Sequence, residues 1–166
     1  MLMGFGPHSS ELLTIELVPE SSWGDNLRSR LKKADWDILR RAQYKAAGYH
    51  CEICGGKGRR HPVEGHEVWD YNDQTYTQTL TRLIALCPAC HLVKHFGFAC
   101  LQGRELQALD HLMRVNKWTK AQADVHIEAA FELHAKRSLH RWTLDLTWLA
   151  TQGIAIPEDP DGFSLV

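Results

Sequence analysis

The chain lacks any apolar run long enough to cross a membrane, a span that needs about 20 residues. Its longest apolar runs are residues 83–87 and 96–101, and the second contains a glycine. The first ten residues, MLMGFGPHSS, also lack the basic start and the apolar stretch of a secretory signal peptide. We therefore expect a cytoplasmic protein that does not bind membranes.

The chain also lacks a net charge of either sign, since 19 Lys and Arg residues stand against 20 Asp and Glu residues. The overall charge therefore does not indicate a nucleic-acid-binding protein. The distribution is uneven, however, because residues 27–60 hold ten lysines and arginines against three acidic residues. Such a local excess is typical either of a solvated helix face with a basic loop or of contacts with phosphate groups.

Cysteine is sparse, but four of the five cysteines stand in two C-x-x-C pairs, Cys51/Cys54 and Cys87/Cys90. A reducing compartment argues against disulfides. Two thiolates on each of two tight turns can complete a tetrahedron around one zinc ion, and the glycines after the first pair suit such a turn. The spacing therefore predicts a structural Zn²⁺ site, with iron as the alternative. Cys100 is left over, and we expect it to be a small buried residue.

The hydrophobic pattern and the turn residues divide the chain into four regions. These regions are an N-terminal strand and helix (1–48), a central zinc module (49–102), a helical extension (103–151) and an irregular tail (152–166). The predicted elements are strands over 11–18, 62–70 and 76–86 and helices over 35–47, 88–100, 104–116 and 121–139. The expected fold class is therefore α+β.

Three histidines stand near the cysteine pairs. His66 lies in or at the end of the strand predicted over 62–70, within VEGHEVW, while His91 directly follows the second cysteine pair and His95 comes four residues later. Residues four apart on a helix project from the same face, so His91 and His95 can bind one metal ion together. A shared zinc ties both ends of the hairpin to one point, so we expect the hairpin bearing His66 to pack over this helix.

The order CEICGG, VEGHEVW and LIALCPACHLVKH resembles the zinc-stabilised HNH endonucleases. The resemblance covers roughly residues 49–97, about a third of the chain. It implies a ββα-metal fold, in which a β-hairpin and a helix surround a catalytic metal ion. It also implies an activity, the metal-dependent hydrolysis of phosphodiester bonds in double-stranded DNA.

Carried over by position, the resemblance implies a role for each histidine. His66 matches the general base that deprotonates the attacking water, a task that suits a pKa near working pH. His91 matches the ligand of the catalytic divalent ion, and His95 resembles the extra histidine ligand of colicin-type members. The candidate ions are Mg²⁺, Mn²⁺, Ni²⁺ and Zn²⁺, because histidine ligands accept the softer ones.

Two positions depart from the family pattern. Gly65 stands where an acid usually precedes the base, and Arg82 occupies the position of the middle asparagine. A replacement ligand for the catalytic ion could be His95 or a nearby carboxylate, and strand alternation favours Glu64 over Glu67 because Glu64 shares the face of the base. Loss of the acid equally fits a protein without catalytic activity.

The basic residues near the module are candidate phosphate contacts: Arg59, Arg60, Arg82 and Lys94. A second hypothesis is a catalytically degenerate HNH-like zinc module that binds DNA or a protein partner. A third is a structural zinc domain whose C-terminal helices form a homodimer or protein-partner surface. Convergence of the three histidines on one open, ion-sized site would favour the enzyme.

Overall fold

The computed structural model describes residues 12–158, which combine helices with one small sheet. The strands are β1 (Glu64–Asn72), β2 (Thr77–Leu86) and β3 (Thr143–Asp145). The α-helices are α1 (Leu27–Arg30), α2 (Lys33–Ala46), α3 (Pro88–Lys94), α4 (Phe96–Leu101), α5 (Glu105–Asn116), α6 (Lys120–Arg137) and α7 (Trp148–Thr151). This composition confirms the α+β class. Across residues 12–158, no helix has the length and apolar character that a membrane crossing requires.

The centre of the fold is an antiparallel hairpin of β1 and β2, which pairs from Glu64 opposite Leu86 to Asn72 opposite Thr77 with a register shift between Val68 and Trp69. Successive side chains of a strand point to opposite faces. All four residues from Leu83 to Leu86 are nevertheless buried, so both faces of β2 are covered at this end. α3 lies against the hairpin on one side and α2 on the other, which places the end of the hairpin between two helices.

The helix predicted over 88–100 is interrupted. Pro88 occupies the first turn of α3, where its missing N–H is tolerated. α3 ends at Lys94, His95 has φ −95° and ψ 47°, and α4 starts at Phe96. His91 and His95 therefore lie on the last turn of α3 and at its C-cap, where the chain changes direction.

The N-terminal strand predicted over 11–18 is wrong for residues 12–18, and Glu11 lies outside the described residues. The apolar residues and the β-branched pair that suggested it are present, and Leu13 and Ile15 are buried. Their backbone groups, however, bond to helix side chains: the Leu13 amide donates to Asn116 Oδ1 and the Ile15 amide to His126 Nε2. The segment therefore does not join the sheet.

The C-terminal part contains the two predicted helices, α5 and α6. Thr119 and Gln122 form the expected capping box at the start of α6. β3, which the sequence pattern did not predict, pairs in parallel with the start of β2, Thr143 opposite Thr77. Residues 152–158 have no helix or strand, and the rest of the predicted tail lies outside the described residues.

Candidate metal and active site

The four paired cysteines come together in the fold. The Sγ atoms of Cys51, Cys54, Cys87 and Cys90 all lie within 4.8 Å of one another, and none forms a disulfide. A tetrahedron with Zn–S bonds of 2.3 Å has edges of about 3.8 Å. Cys54 and Cys87, from different turns, have their Sγ atoms 3.6 Å apart. The donor set and its spacing fit one tetrahedral metal ion.

The first cysteine turn is shaped by its own backbone. The Cys51 amide donates to the Gly56 carbonyl at 2.9 Å, and the Gly55 amide donates to the Cys51 carbonyl at 2.9 Å. Gly55 has a φ of +72°, a left-handed conformation that favours glycine. The Gly56 amide then points at Cys54 Sγ, 3.4 Å away. These contacts aim both sulfurs of the turn in one direction.

The second cysteine turn is the N-terminus of α3. Cys87 is the N-cap, and its Sγ accepts from the Cys90 amide at 3.5 Å. His111 on α5 places its Nε2 3.2 Å from Cys90 Sγ. Sequence spacing gave no sign of this histidine, because it comes from a helix that lies outside the module.

The crowded thiols have unequal proton affinities. Hydrogen bonds from Cys54, Cys87 and Cys90 lower the pKa of Cys51, while the same network, led by its bond to Cys51, raises the pKa of Cys90. Within this network Cys51 gives up its proton most readily and Cys90 least readily. A divalent cation at their centre would let several ionise together.

The three histidines also converge. One ring nitrogen from each of His66, His91 and His95 lies within 4.8 Å of the others. The Nε2 atoms of His91 and His95 are 3.1 Å apart, and the His66 ring centroid lies 5.3 Å from that of His91 and 4.9 Å from that of His95. His66 comes from β1, and the other two come from α3 and its C-cap. The arrangement can hold one ion.

A carboxylate holds the other nitrogen of two of these rings. Glu64 Oε2 accepts from His91 Nδ1 at 2.6 Å, and Glu16 Oε2 accepts from His66 Nε2 at 2.9 Å. A carboxylate on the far nitrogen fixes the ring orientation and its tautomer. Glu64, a predicted direct ligand, thus lies behind His91 in this structure. Glu16 was missed because it lies 50 residues away in sequence.

The electrostatics keep the acids ionised and one histidine neutral. The hydrogen bond from His91, against the effect of burial, lowers the pKa of Glu64 to about 2. Burial raises the pKa of Glu16, but His66 and Lys94 outweigh it and bring the value to about 2. Burial, together with charge on the other two rings, lowers the pKa of His95 to about 3. The His95 ring therefore presents a lone pair at neutral pH.

A cleft of about 790 Å³ opens beside the histidines. Its lining includes His91 and His95, three cations (Arg28, Lys33 and Arg40) and three acids (Asp37, Glu64 and Glu67). The cations come from α1 and α2, inside the basic stretch found in the sequence. The cleft thus brings basic and acidic side chains to the edge of the histidine cluster.

The missing acid at Gly65 has a physical explanation. A Cβ atom built on Gly65 would lie 3.4 Å from the Trp36 ring and 3.6 Å from Arg40 Cβ. The Gly65 amide donates to the Tyr44 hydroxyl at 2.9 Å. α2 therefore packs over this position: a Cβ alone would make ordinary contacts, but a carboxylate would point toward the Trp36 ring and α2.

The candidate phosphate contacts differ in accessibility. Arg59 and Arg60 are exposed in the loop before β1. Arg82 is half-buried and pairs with Glu52 at 3.3 Å. Lys94 is only 6% exposed, and its Nζ donates to Thr14 and Glu16. We therefore remove Lys94 from the candidate phosphate contacts, because its charge faces protein groups.

Comparisons with protein-family models, with curated proteins and with solved structures found no match for this chain. No family is assigned on that basis, and the resemblance to HNH endonucleases stays a prediction. Function is therefore inferred from the chemistry and geometry of the site itself.

A second cleft lies on the other side of His95. Its lining is largely apolar and includes Trp23, Phe98, Leu101 and Phe131. Trp23 is 72% exposed and Leu101 78% exposed. Cys100, expected to be buried, is also exposed.

Proposed function

We propose that this protein is a metal-dependent endonuclease that hydrolyses phosphodiester bonds of DNA with an HNH-like ββα-metal site. The observation that carries the proposal is the convergence of His66, His91 and His95 beside a four-cysteine cluster. Two of the three rings are also held by carboxylates, as metal-binding histidines commonly are. If the three rings had a purely structural role, there would be no reason for one nitrogen of each to lie close to the other two.

The histidines have distinct roles in this proposal. His91 and His95, whose Nε2 atoms lie 3.1 Å apart, would hold the divalent ion. When bound, such an ion supplies positive charge that stabilises the phosphate in the transition state and the leaving 3′ oxygen. His66 takes a proton from the attacking water. Glu16 occupies Nε2 of His66, so the proton is accepted at Nδ1.

Cations in and beside the cleft favour a phosphate-bearing substrate, although Asp37, Glu64 and Glu67 line the same cleft. Arg28 is exposed on the cleft wall, while Lys33 and Arg40 share the carboxylate of Asp37. Arg59 and Arg60 add two exposed cations in the loop that leads to His61, which itself bonds to Glu64. Phosphate contacts of this kind position a nucleic acid without reading its sequence. Double-stranded DNA is the substrate that we propose.

A second candidate function is a zinc module that binds DNA or a protein partner without cleavage. It is favoured by one specific observation, the burial of His66. The residue is 3% exposed, and its Nδ1 is buried and has no hydrogen-bond partner within residues 12–158. A general base needs access to water. If His66 instead binds the metal ion as a third ligand, the site lacks this base, and the module would bind without cleaving.

Nicking of supercoiled plasmid tests the proposed function. Zinc-loaded wild type is compared with His66→Ala in the presence of Mg²⁺, Mn²⁺ or Ni²⁺, and binding of each ion is measured by titration calorimetry. His50→Ala is the matched control, because His50 is exposed and bonds only its own turn at Gly48. We expect metal-dependent nicking by wild type and the control, and a loss of at least 100-fold in His66→Ala.

The two readouts separate the roles of His66. Lost nicking with intact ion binding identifies the base, and loss of both identifies a third ligand. No nicking by folded wild type with any ion would reject the nuclease and leave the binding module. Nicking that survives His66→Ala unchanged would show that His66 has neither role.

A further inference from the structure

Glu16 joins the candidate site from a part of the chain outside the hairpin and α3. Its Oε2 lies 2.9 Å from His66 Nε2, and its Oε1 lies 2.5 Å from Lys94 Nζ. The Lys94 ammonium also donates to Thr14 Oγ1 at 2.9 Å. Both carboxylate oxygens therefore have fixed partners, and one partner is a ring of the histidine cluster.

This contact decides which nitrogen of His66 is available. A neutral imidazole has one N–H and one lone pair, and a carboxylate can only accept. The proton must therefore sit on Nε2, which leaves the lone pair on Nδ1. Nδ1 is buried and has no hydrogen-bond partner among the described residues. A buried lone pair beside two other histidine rings is what we expect of a nitrogen that binds an ion or accepts a proton.

The segment that carries Glu16 is fixed by the helices around it. The Glu16 amide donates to the Lys94 carbonyl at 3.0 Å, and the neighbouring Ile15 amide donates to His126 Nε2 at 3.0 Å. Asn116 at the end of α5 makes two bonds of 2.8 Å with the backbone of Leu13. The N-terminal segment is thus fastened to α3, α5 and α6 at Glu16 and at the residues just before it.

We propose that Glu16 is a positioning residue that acts through His66. It holds the proton on Nε2, so that the lone pair of Nδ1 is free to accept a proton or bind an ion. The importance of this role for cleavage rests on the proposed function, but the positioning itself does not. It also gives the helices α5 and α6 a part in the site, because they hold the segment that brings Glu16 to His66.

The test compares two variants that both lack the Lys94 charge, so that an effect on positioning can be separated from an effect on folding. Lys94→Met keeps the Glu16 acceptor, whereas Glu16→Leu combined with Lys94→Met removes it. Lys94 is buried and Glu16 is partly exposed, and replacing such a pair by two apolar residues commonly leaves stability little changed, whereas Lys94→Met alone removes one partner and is the more destabilised variant. Thermal melting and zinc content verify that both variants are folded. Glu20→Leu, four residues further along in an exposed position, controls for loss of an acid.

The first readout is the His66 tautomer, measured by nitrogen NMR of the imidazole rings in zinc-loaded protein. We expect a single Nε2–H form in wild type, Lys94→Met and Glu20→Leu, and a mixture of tautomers in the double variant. The second readout is Ni²⁺ affinity by calorimetry, where we expect the double variant to bind about 10- to 100-fold more weakly than Lys94→Met. In a His66→Ala background this difference should vanish.

An unchanged His66 tautomer in the folded double variant would overturn the proposal. So would an equal loss of Ni²⁺ affinity with and without His66, since Glu16 would then act by another route. The tautomer readout needs neither a bound ion nor cleavage. A wild type that fails to nick DNA would therefore reject the proposed function while the positioning role is still decided.

Discussion

Glu64 contacts the candidate ligand His91 rather than the candidate ion itself, and this position determines the effect of its substitution. Its carboxylate accepts from His91 Nδ1 at 2.6 Å and lies 2.5 Å from His61 Nε2. Glu64→Gln removes the negative charge that makes His91 a more basic ligand. We expect Ni²⁺ or Mn²⁺ affinity to fall about 10- to 100-fold, measured by titration calorimetry, with one zinc per chain retained.

Glu67 offers the matched control for this prediction. It lies on the same strand, but its Oε1 accepts from the Leu27 amide on the side of α1. Glu67→Gln should leave ion affinity within about twofold of wild type while removing an equal charge. Equal losses in the two variants would mean that net charge, and not the contact with His91, governs ion binding.

Residues predicted from local spacing are the ones that the fold brings together. The two C-x-x-C pairs and the His91/His95 spacing are encoded within single turns, so the sequence alone indicated them. Glu16 and His111 could not be found in this way, because each reaches its cluster through tertiary packing. Lys94 was misjudged for the same reason: a lysine in a helix pattern is normally solvated, and only the approach of the N-terminal segment buries it.

At the scale of elements, the hairpin and α3 were predictable, but their neighbours were not. The strands and helices of the central module follow hydrophobic period and turn residues. The segment over 12–18 has the apolar and β-branched composition of a strand, yet its backbone amides bond to helix residues, and composition does not identify the partner. β3 has only three residues, too few for a pattern, and exists because β2 offers it an edge.

The ion pair between Asp73 and Arg137 connects the tip of the hairpin to the end of α6. Arg137 donates from Nε and Nη2 to the two carboxylate oxygens of Asp73, at 2.8 and 3.0 Å, and its guanidinium lies 4.1 Å from the centre of the Tyr71 ring. This hydrogen bond lowers the pKa of Asp73 below its usual value. The pair therefore joins two elements that are distant in sequence.

The pH dependence of this ion pair follows from the direction of the pKa shift. Because the folded pKa of Asp73 is depressed, the stabilisation is present above the ordinary range of aspartate, near pH 4, and is lost as the pH falls below it. Asp73→Asn should lower the free energy of unfolding by about 1 kcal/mol or less at pH 7, since the carboxylate is largely exposed. The difference from wild type in urea titrations should shrink as the pH falls toward 3.

Asp70→Asn is the control on the same hairpin. Asp70 is exposed, and its Oδ1 accepts only from the Tyr71 amide among the contacts that the structure gives it. Its difference from wild type should show no comparable dependence on pH. If Asp73→Asn kept its full effect on the free energy of unfolding near pH 3, the carboxylate charge would not be the source of the stabilisation.

At the scale of the whole molecule, the cysteine cluster lies inside the main hydrophobic core. Cys51, Cys87 and Cys90 are buried in one cluster with Leu13 from the N-terminal segment and Leu112 from α5. A metal ion there would bind the first cysteine turn to the start of α3 at the centre of this core. Structural zinc contributes about 10–16 kcal/mol of apparent binding free energy in small domains, whereas a whole domain has a net stability of about 5–15 kcal/mol.

Removal of zinc should therefore unfold the protein rather than only inactivate it. We expect one tightly bound zinc per chain by elemental analysis, and a strong chelator should abolish the cooperative thermal transition. Cys90→Ser should have the same effect, since it removes one of four ligands from the core. Cys100→Ser, an identical change at an exposed cysteine, should retain both the zinc and the transition.

The order of metal loss separates the two clusters. The histidine cluster lies beside an open cleft, whereas the cysteines lie in the core, so a weak chelator should remove an ion from the histidines first and reversibly. The thermal transition should persist through that step and disappear only when the thiolate-bound zinc leaves. A chain that kept its cooperative melting after complete loss of zinc would show that the core alone holds the fold, and the cysteine cluster would then have to be explained by redox or regulatory chemistry.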